Sequence, residues 1–433
     1  MTLDVFYAHM PTHEYIFAPT RELWPAASVN GRIGPVRLNH ADGEPVCDEA
    51  GKPKIIPASR WLDRHRAVEQ MTWAPGLPMI IRDRLISDGG WIDHPQAATF
   101  NLYRPPATPR GNAALAGRWI DHVERVFGDE ARHIVRWLAH RVQRPQEKIN
   151  HALVLGGSQG IGKDTLLEPV KQAVGPWNFA EVSPKTALDR FTAFHRSVIL
   201  RISEARDLGE VDRFSFYDHL KTLAAAPPDV LRVNEKNRRE NYVPNVTGVI
   251  ITTNHKSNGI YLPPDDRRHF VAWSGLAKED FAPGYWTALW DWYARGGIGH
   301  VAAYLAGLDL AGFDAKAPPP RTDAFWAIVD ASRAPEDAEL ADVIDTLGRP
   351  DAVTIAQLVA AADGEFAIWL RDRRNRRLIP HRLEKCGYAP ARNAAAKDGM
   401  WKIGGARQVV YARAELSIRE RVAAVGRLVG ADR

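Results

Sequence analysis

The run Gly157-Ser158-Gln159-Gly160-Ile161-Gly162-Lys163-Asp164-Thr165 restricts the possible folds of this chain more than any other stretch. It follows an apolar segment, Ala152–Leu155, that reads as a buried strand. It opens a helical period in which Leu166, Leu167, Val170 and Val174 share one face, until Gly175-Pro176 ends it. Strand, glycine loop and helix in that order form a turn whose backbone N–H groups converge on phosphate oxygens. The helix N-terminus adds partial positive charge, and Lys163 adds a full charge beside the β- and γ-phosphates. The run therefore predicts an α/β core with a parallel central sheet and a site for a nucleoside triphosphate, ATP.

One position departs from the usual pattern. The hydroxyl that normally follows the lysine and ligates Mg²⁺ is replaced by Asp164, with Thr165 one place later. Magnesium accepts carboxylate oxygen equally well, so Asp164 and Thr165 are the expected metal and phosphate ligands. A loop that binds nucleotide but turns over slowly is the alternative.

Downstream segments add the rest of a hydrolytic site. Ser197–Ala205 reads as a buried strand ending in Glu204, an acid expected beside the loop to ligate metal and polarise water. The place of a first acid is taken by Ser203. Gly248–Asn254 is a third strand, and the Asn254 amide can orient water without repelling the γ-phosphate. Asp265-Asp266-Arg267-Arg268 offers an arginine to a neighbouring subunit's phosphate, or else a surface salt-bridge cluster. Val230–Val243 reads as two short strands around a basic tip carrying Lys236, Arg238 and Arg239, suited to a nucleic-acid backbone.

The block from about 150 to 275 resembles the ATPase core of superfamily-three helicases, in particular the phage, plasmid and poxvirus-type primase–helicase group. The loop with its Lys-Asp-Thr ending, the Ser-Glu-Ala strand end, the basic hairpin, Thr-Thr-Asn and Asp-Asp-Arg-Arg carry the resemblance. It implies an AAA+ type fold, a hexameric ring of identical chains around single-stranded or forked DNA, and movement that is typically 3′ to 5′.

A chain of 433 residues has room for several cores, and 45% hydrophobic with 25% charged residues is an ordinary globular composition. No apolar run is long enough to cross a membrane, and no signal-like segment opens the chain, so the cytoplasm of a bacterium or of a phage-infected host is expected. Cys47 and Cys386 stand alone, without metal-ligand spacing. The expected division is an irregular N-terminal domain over 1–110, a helical oligomerising collar over 111–149, the ATPase domain over 150–315, and a winged-helix-like basic domain over 321–433. In the last of these, Arg371–Arg413 holds twelve Lys or Arg against three Asp or Glu, while the whole chain has a net charge of +5. The helix at 380–386 would present Arg382 and Lys385 to a major groove, and Arg407 would touch phosphate from the wing. No paired-acid primase motif is visible, so a separate primase or another replication protein is the expected partner. The reading is an ATP- and Mg²⁺-dependent helicase of phage or mobile-element replication. Its alternative is an origin-binding initiator or a ring ATPase that loads or remodels without unwinding.

Overall fold

The computed structural model describes residues 1–40, 42–107, 111–203, 209–236, 238–255, 260–331, 335–372, 375–376 and 378–431. The chain forms two compact units, Met1–Val329 and Asp330–Arg433.

At the centre of the first unit lies a five-stranded sheet: β1 (Ala152–Gly156), β2 (Phe179–Val182), β3 (Ile199–Ile202), β4 (Gly248–Thr253) and β5 (His269–Trp273). Its spatial order is β2-β3-β4-β1-β5, and every pairing is parallel. β1 and β4 are buried at every position, which explains their unbroken apolar sequences: a parallel sheet covered on both faces has no solvent side to alternate toward. The sequence placed the Ser197–Ala205 strand next to the phosphate loop. In the structure β4 lies between β3 and β1, so the loop's immediate neighbour is the strand that ends in Asn254.

The expected collar helices form over Gly117–Phe127 and Ala131–Gln143, but their apolar faces are used within the chain. Trp119 and Trp137 are fully buried; the Trp119 indole donates to Leu166 O at 2.9 Å and that of Trp137 to His151 O at 3.1 Å. The helices cover the sheet and the loop helix, so little of this apolar surface is left for oligomerisation. Arg141, buried with them, donates to Val246 O at 2.6 Å and to Arg144 O at 2.8 Å. Burial pushes its guanidinium down to about 9.

Residues 1–103 carry more regular structure than their Trp- and Pro-rich sequence indicates. One sheet orders Glu22–Pro25, Glu14–Phe17, Phe6–His9 and Ala67–Val68; another joins Gln70–Thr72 to a long hairpin of Ile80–Ser87 and Gly90–Asn101. The helix Asp323–Ala331 was grouped by sequence with the carboxy-terminal domain. Its Phe325, Ile328 and Val329 instead belong to the core of the first unit, where this apolar face finds its burial.

The second unit contains the helices Pro335–Thr346, Ile355–Ala361, Gly364–Arg371 and Ile379–Lys385, then a closing helix Ile418–Ala431. A three-stranded antiparallel sheet orders Ala352–Thr354, Val410–Arg413 and Tyr388–Ala391. The segment 406–413 is divided between two sheets. Trp401–Ile403 and Ala406–Gln408 pair as a separate hairpin around Gly404-Gly405, both with positive φ, the glycine pair that a tight hairpin turn favours.

Candidate active site

The loop between β1 and the helix Lys163–Val174 curls through three glycines of positive φ, Gly157, Gly160 and Gly162. Gly162 is required twice over. Its φ of +87° is left-handed, and a Cβ there would lie 2.6 Å from the Trp286 ring and 2.7 Å from His122. Lys163 follows at the first turn of the helix. Its Nζ donates to Gly157 O at 2.7 Å, Ser158 O at 2.9 Å and Asn254 Oδ1 at 2.8 Å. Burial pushes this ammonium down to about 8. All three donors therefore rest on neutral oxygens of the chain, and the burial that lowers this ammonium outweighs the Asp164 carboxylate that favours its charge, which prepares the group for an anion.

The Asn254 amide meets Lys163 because β4 runs beside β1 in register, Leu155 opposite Thr252 and Gly156 opposite Thr253, and Asn254 follows directly. Ser203, at the end of β3, lines the same cleft of about 790 Å³, with Thr165, Ser158's neighbour Gln159, and Gly160. Ile161 is fully buried beneath the loop. Glu204 lies outside the described residues.

Asp164 is exposed and lines the cleft, bonded by Arg201 of β3. Arg201 also bonds Glu181 at 2.8 Å. The sequence reading missed both partners. The signal was present, since an arginine inside the apolar run Ile199–Ile202 needs an acid to hold it. Lys278, exposed at the cleft's rim, was missed as well, and nothing in its surroundings in sequence marks it.

Behind the cleft, three side chains fix the first turn of the loop helix. His122 Nε2 lies 3.2 Å from Gly162 O, Tyr293 Oη donates to Thr165 O at 3.1 Å, and the Trp119 indole bonds Leu166 O. His122 is itself held by Tyr285 Oη at 2.9 Å. These contacts come from helices on both sides of the five sheet strands in sequence.

The basic hairpin forms as Val230–Val233 against Asn241–Pro244. Lys236, Arg238 and Arg239 are exposed near its tip. The tip loop is tied to the body by Arg196–Glu235 at 2.8 Å, and the returning strand to the N-terminal region by Thr72 Oγ1 donating to Tyr242 O at 2.8 Å. In the Asp-Asp-Arg-Arg segment, Asp266 is buried. It accepts from the Arg268 and His269 amides at 3.0 Å and from Tyr217 Oη at 2.9 Å. Burial alone would raise this carboxyl, but those bonds and the His269 ring hold it down at about 2. Asp266 thus anchors the start of β5, while Arg267 is exposed and Arg268 half-buried. Among the described residues neither arginine has a carboxylate at ion-pair distance.

In the second unit, Arg382 and Lys385 are corrected. Arg382 is only 11% exposed, bonded to Asp337, 3.4 Å from Glu336 and stacked on the Trp369 ring at 5.0 Å; Lys385 Nζ is 2.9 Å from Asp337 Oδ2. Both cations serve the packing of helix on helix. Arg407 is exposed on the hairpin and pairs with Asp398 at 3.0 Å.

The cleft fits a magnesium nucleotide through its anion-seeking lysine and its hard oxygens. Among the described residues no group of three or more His, Cys, Asp or Glu could hold a metal by itself. Magnesium commonly needs only one or two protein ligands beside phosphates and water.

Residues 155–268 match a protein family described as "Family of unknown function (DUF5906)", well under half of the chain. No curated protein matches. The apo structure of the NrS-1 C-terminal region (305–718) superimposes with a TM-score of 0.61 at 14% identity, over 94% of this chain and 95% of that one. A second apo form of that region gives 0.59 at 13% identity, over 94% and 96%. The JCV helicase gives 0.29 at 11% identity, over 54% and 66%, too low to carry an argument. The first two establish a shared fold: a mixed α/β architecture around a parallel sheet.

Proposed function

We propose that this chain is an ATP- and Mg²⁺-dependent hydrolase that assembles as a hexameric ring of the AAA+ type on single-stranded or forked DNA and acts as a replication helicase. The observation that carries the reading is the Lys163–Asn254 bond, which joins the phosphate loop to the end of the neighbouring strand in a β2-β3-β4-β1-β5 sheet. A lysine and a strand-end amide meeting at one point are what cleavage of a terminal phosphate needs. Lys163 and the loop amides hold the triphosphate. Asp164 and Thr165 offer the metal its protein oxygens; when bound, Mg²⁺ neutralises phosphate charge. Glu204 takes a proton from the attacking water, Asn254 orients that water, and Arg267 reaches the site of an adjacent subunit. Lys236, Arg238 and Arg239 track the DNA backbone.

The test is unwinding of a forked duplex with ATP and Mg²⁺, with Lys163→Ala as control. Strand separation lost in the variant is the expected result. ATP hydrolysis with an intact duplex would overturn the helicase reading in favour of a loader or initiator. The ion pairing of Arg382 and Lys385 already weighs against an initiator that reads bases with that helix.

A further inference from the structure

A second cavity, of about 330 Å³, lies in the first unit between the N-terminal strands and the tip of the basic hairpin. Five arginines line it, Arg21, Arg104, Arg196, Arg238 and Arg239, against two acids, Glu14 and Glu235. Glu235 is committed to Arg196 at 2.8 Å. Among the described residues the other four arginines have no carboxylate at ion-pair distance. Burial disfavours the charge on Arg21 and on His9, and the neighbouring Arg104 adds to this at Arg21 and Arg239 at His9. Gathering like charges is costly unless an anion joins them.

Hydrogen bonding is also incomplete. Arg21 Nε, Arg196 Nε, Asn178 Oδ1 and Asn241 Oδ1 are buried without a partner in the protein, and all four residues line this cavity. Water can satisfy the amide oxygens, but it cannot neutralise the excess of arginine. The cavity also has an aromatic wall. Trp177 is 41% exposed, is held by its indole bond to Arg104 O at 2.9 Å, and has the Arg104 guanidinium over its ring at 4.8 Å. A ring fixed on one edge and this far exposed offers a base a surface to stack on, beside or in place of the guanidinium.

We infer that this cavity seats one nucleotide unit of single-stranded nucleic acid, its phosphate among Arg21, Arg104 and Arg239 and its base against Trp177. Its volume suits one small ligand, and the hairpin residues Arg238 and Arg239 belong both to its wall and to the proposed DNA track, so a strand leaving the tip passes into it. The inference rests on the reading of the chain as a binder of single-stranded DNA.

The experiment is fluorescence anisotropy of a labelled twenty-residue oligothymidylate on the full chain without ATP, with circular dichroism melting as the fold control. Arg21→Gln/Arg104→Gln and Trp177→Ala should each weaken binding by about fivefold or more, and Arg238→Ala/Arg239→Ala should do so as well. On the wild-type chain, a 5-iodouracil-substituted oligonucleotide should photocrosslink to Trp177, a readout that needs no variant. Unchanged affinity in folded cavity variants, with loss confined to the Arg238/Arg239 pair, overturns the cavity and leaves the hairpin reading intact. Absence of oligonucleotide binding by the wild type overturns both. Competition by thymidine monophosphate at Trp177 without any crosslink to the oligonucleotide would make the occupant a free nucleotide and overturn the strand.

Discussion

At Asp164 the loop carries a carboxylate where a hydroxyl is usual, and β3 supplies Arg201 to hold it. The pair makes metal binding competitive: the carboxylate that would serve Mg²⁺ must first leave a guanidinium. Because Asp164 is exposed, that competition is modest, of the order of an exposed ion pair, so Arg201→Gln should lower the Mg²⁺ concentration for half-maximal ATP turnover by roughly two- to fivefold. A titration of turnover against Mg²⁺ checks this, and an unchanged midpoint would remove the competition. Asn254→Ala should lower turnover by about a hundredfold with little change in nucleotide affinity, as read by pre-steady-state hydrolysis beside a nucleotide-binding titration. Lys163→Ala should lose both binding and turnover, since its ammonium is the cation placed against the phosphates.

Among the elements, the strand–loop–helix, the basic hairpin and the β4 end were legible in the sequence because short-range signals specify them: glycines of positive φ, alternating residues around a polar tip, an unbroken apolar run. The sheet order was not legible, since parallel pairing is decided by long-range packing, and so Glu204's strand was set beside the loop when β4 stands between. The helix at 379–385 shows the same limit from the other side. Its helical character is legible in sequence, but the acids that neutralise Arg382 and Lys385 are Glu336 and Asp337, more than forty residues earlier. Arg382→Ala should therefore cost about 3 kcal/mol of stability by leaving Glu336 without its cation and Asp337 with Lys385 alone and leave DNA affinity unchanged; urea unfolding and anisotropy test the two halves. The helix Ala131–Gln143 carries its own pH signature. His133 lies 2.9 Å from His151 and stacks on Phe270 at 4.0 Å, and burial pushes His133 down to about 4 and His151 to about 3. Folded-state values below the unfolded one mean that the unfolded chain binds the extra protons. The stability they contribute is fully present above pH 6.5 and is lost as pH falls toward 4 and then 3. The thermal midpoint should drop by about 5 °C or more between pH 7.5 and 5, and His133→Phe should flatten that slope.

On the scale of the whole molecule, the proposed ring makes every site the property of two chains. Arg267→Ala should give an assembled particle without turnover. Mixing it with Lys163→Ala chains should restore about a quarter of wild-type activity or less, through composite sites that pair an intact loop with an intact arginine; ATPase assays across mixing ratios would show it, and a flat response would exclude an arginine acting between subunits. No helix among the described residues is long and apolar enough to cross a membrane. The hairpin's two tethers bear on how such a ring would move. Arg196–Glu235 fastens its tip loop to the sheet domain and Thr72–Tyr242 its returning strand to the N-terminal strands. In the proposed ring it would be the tooth of a cogwheel rather than a pawl: a stroke along the strand would roll the whole subunit, and the N-terminal strands would travel with it.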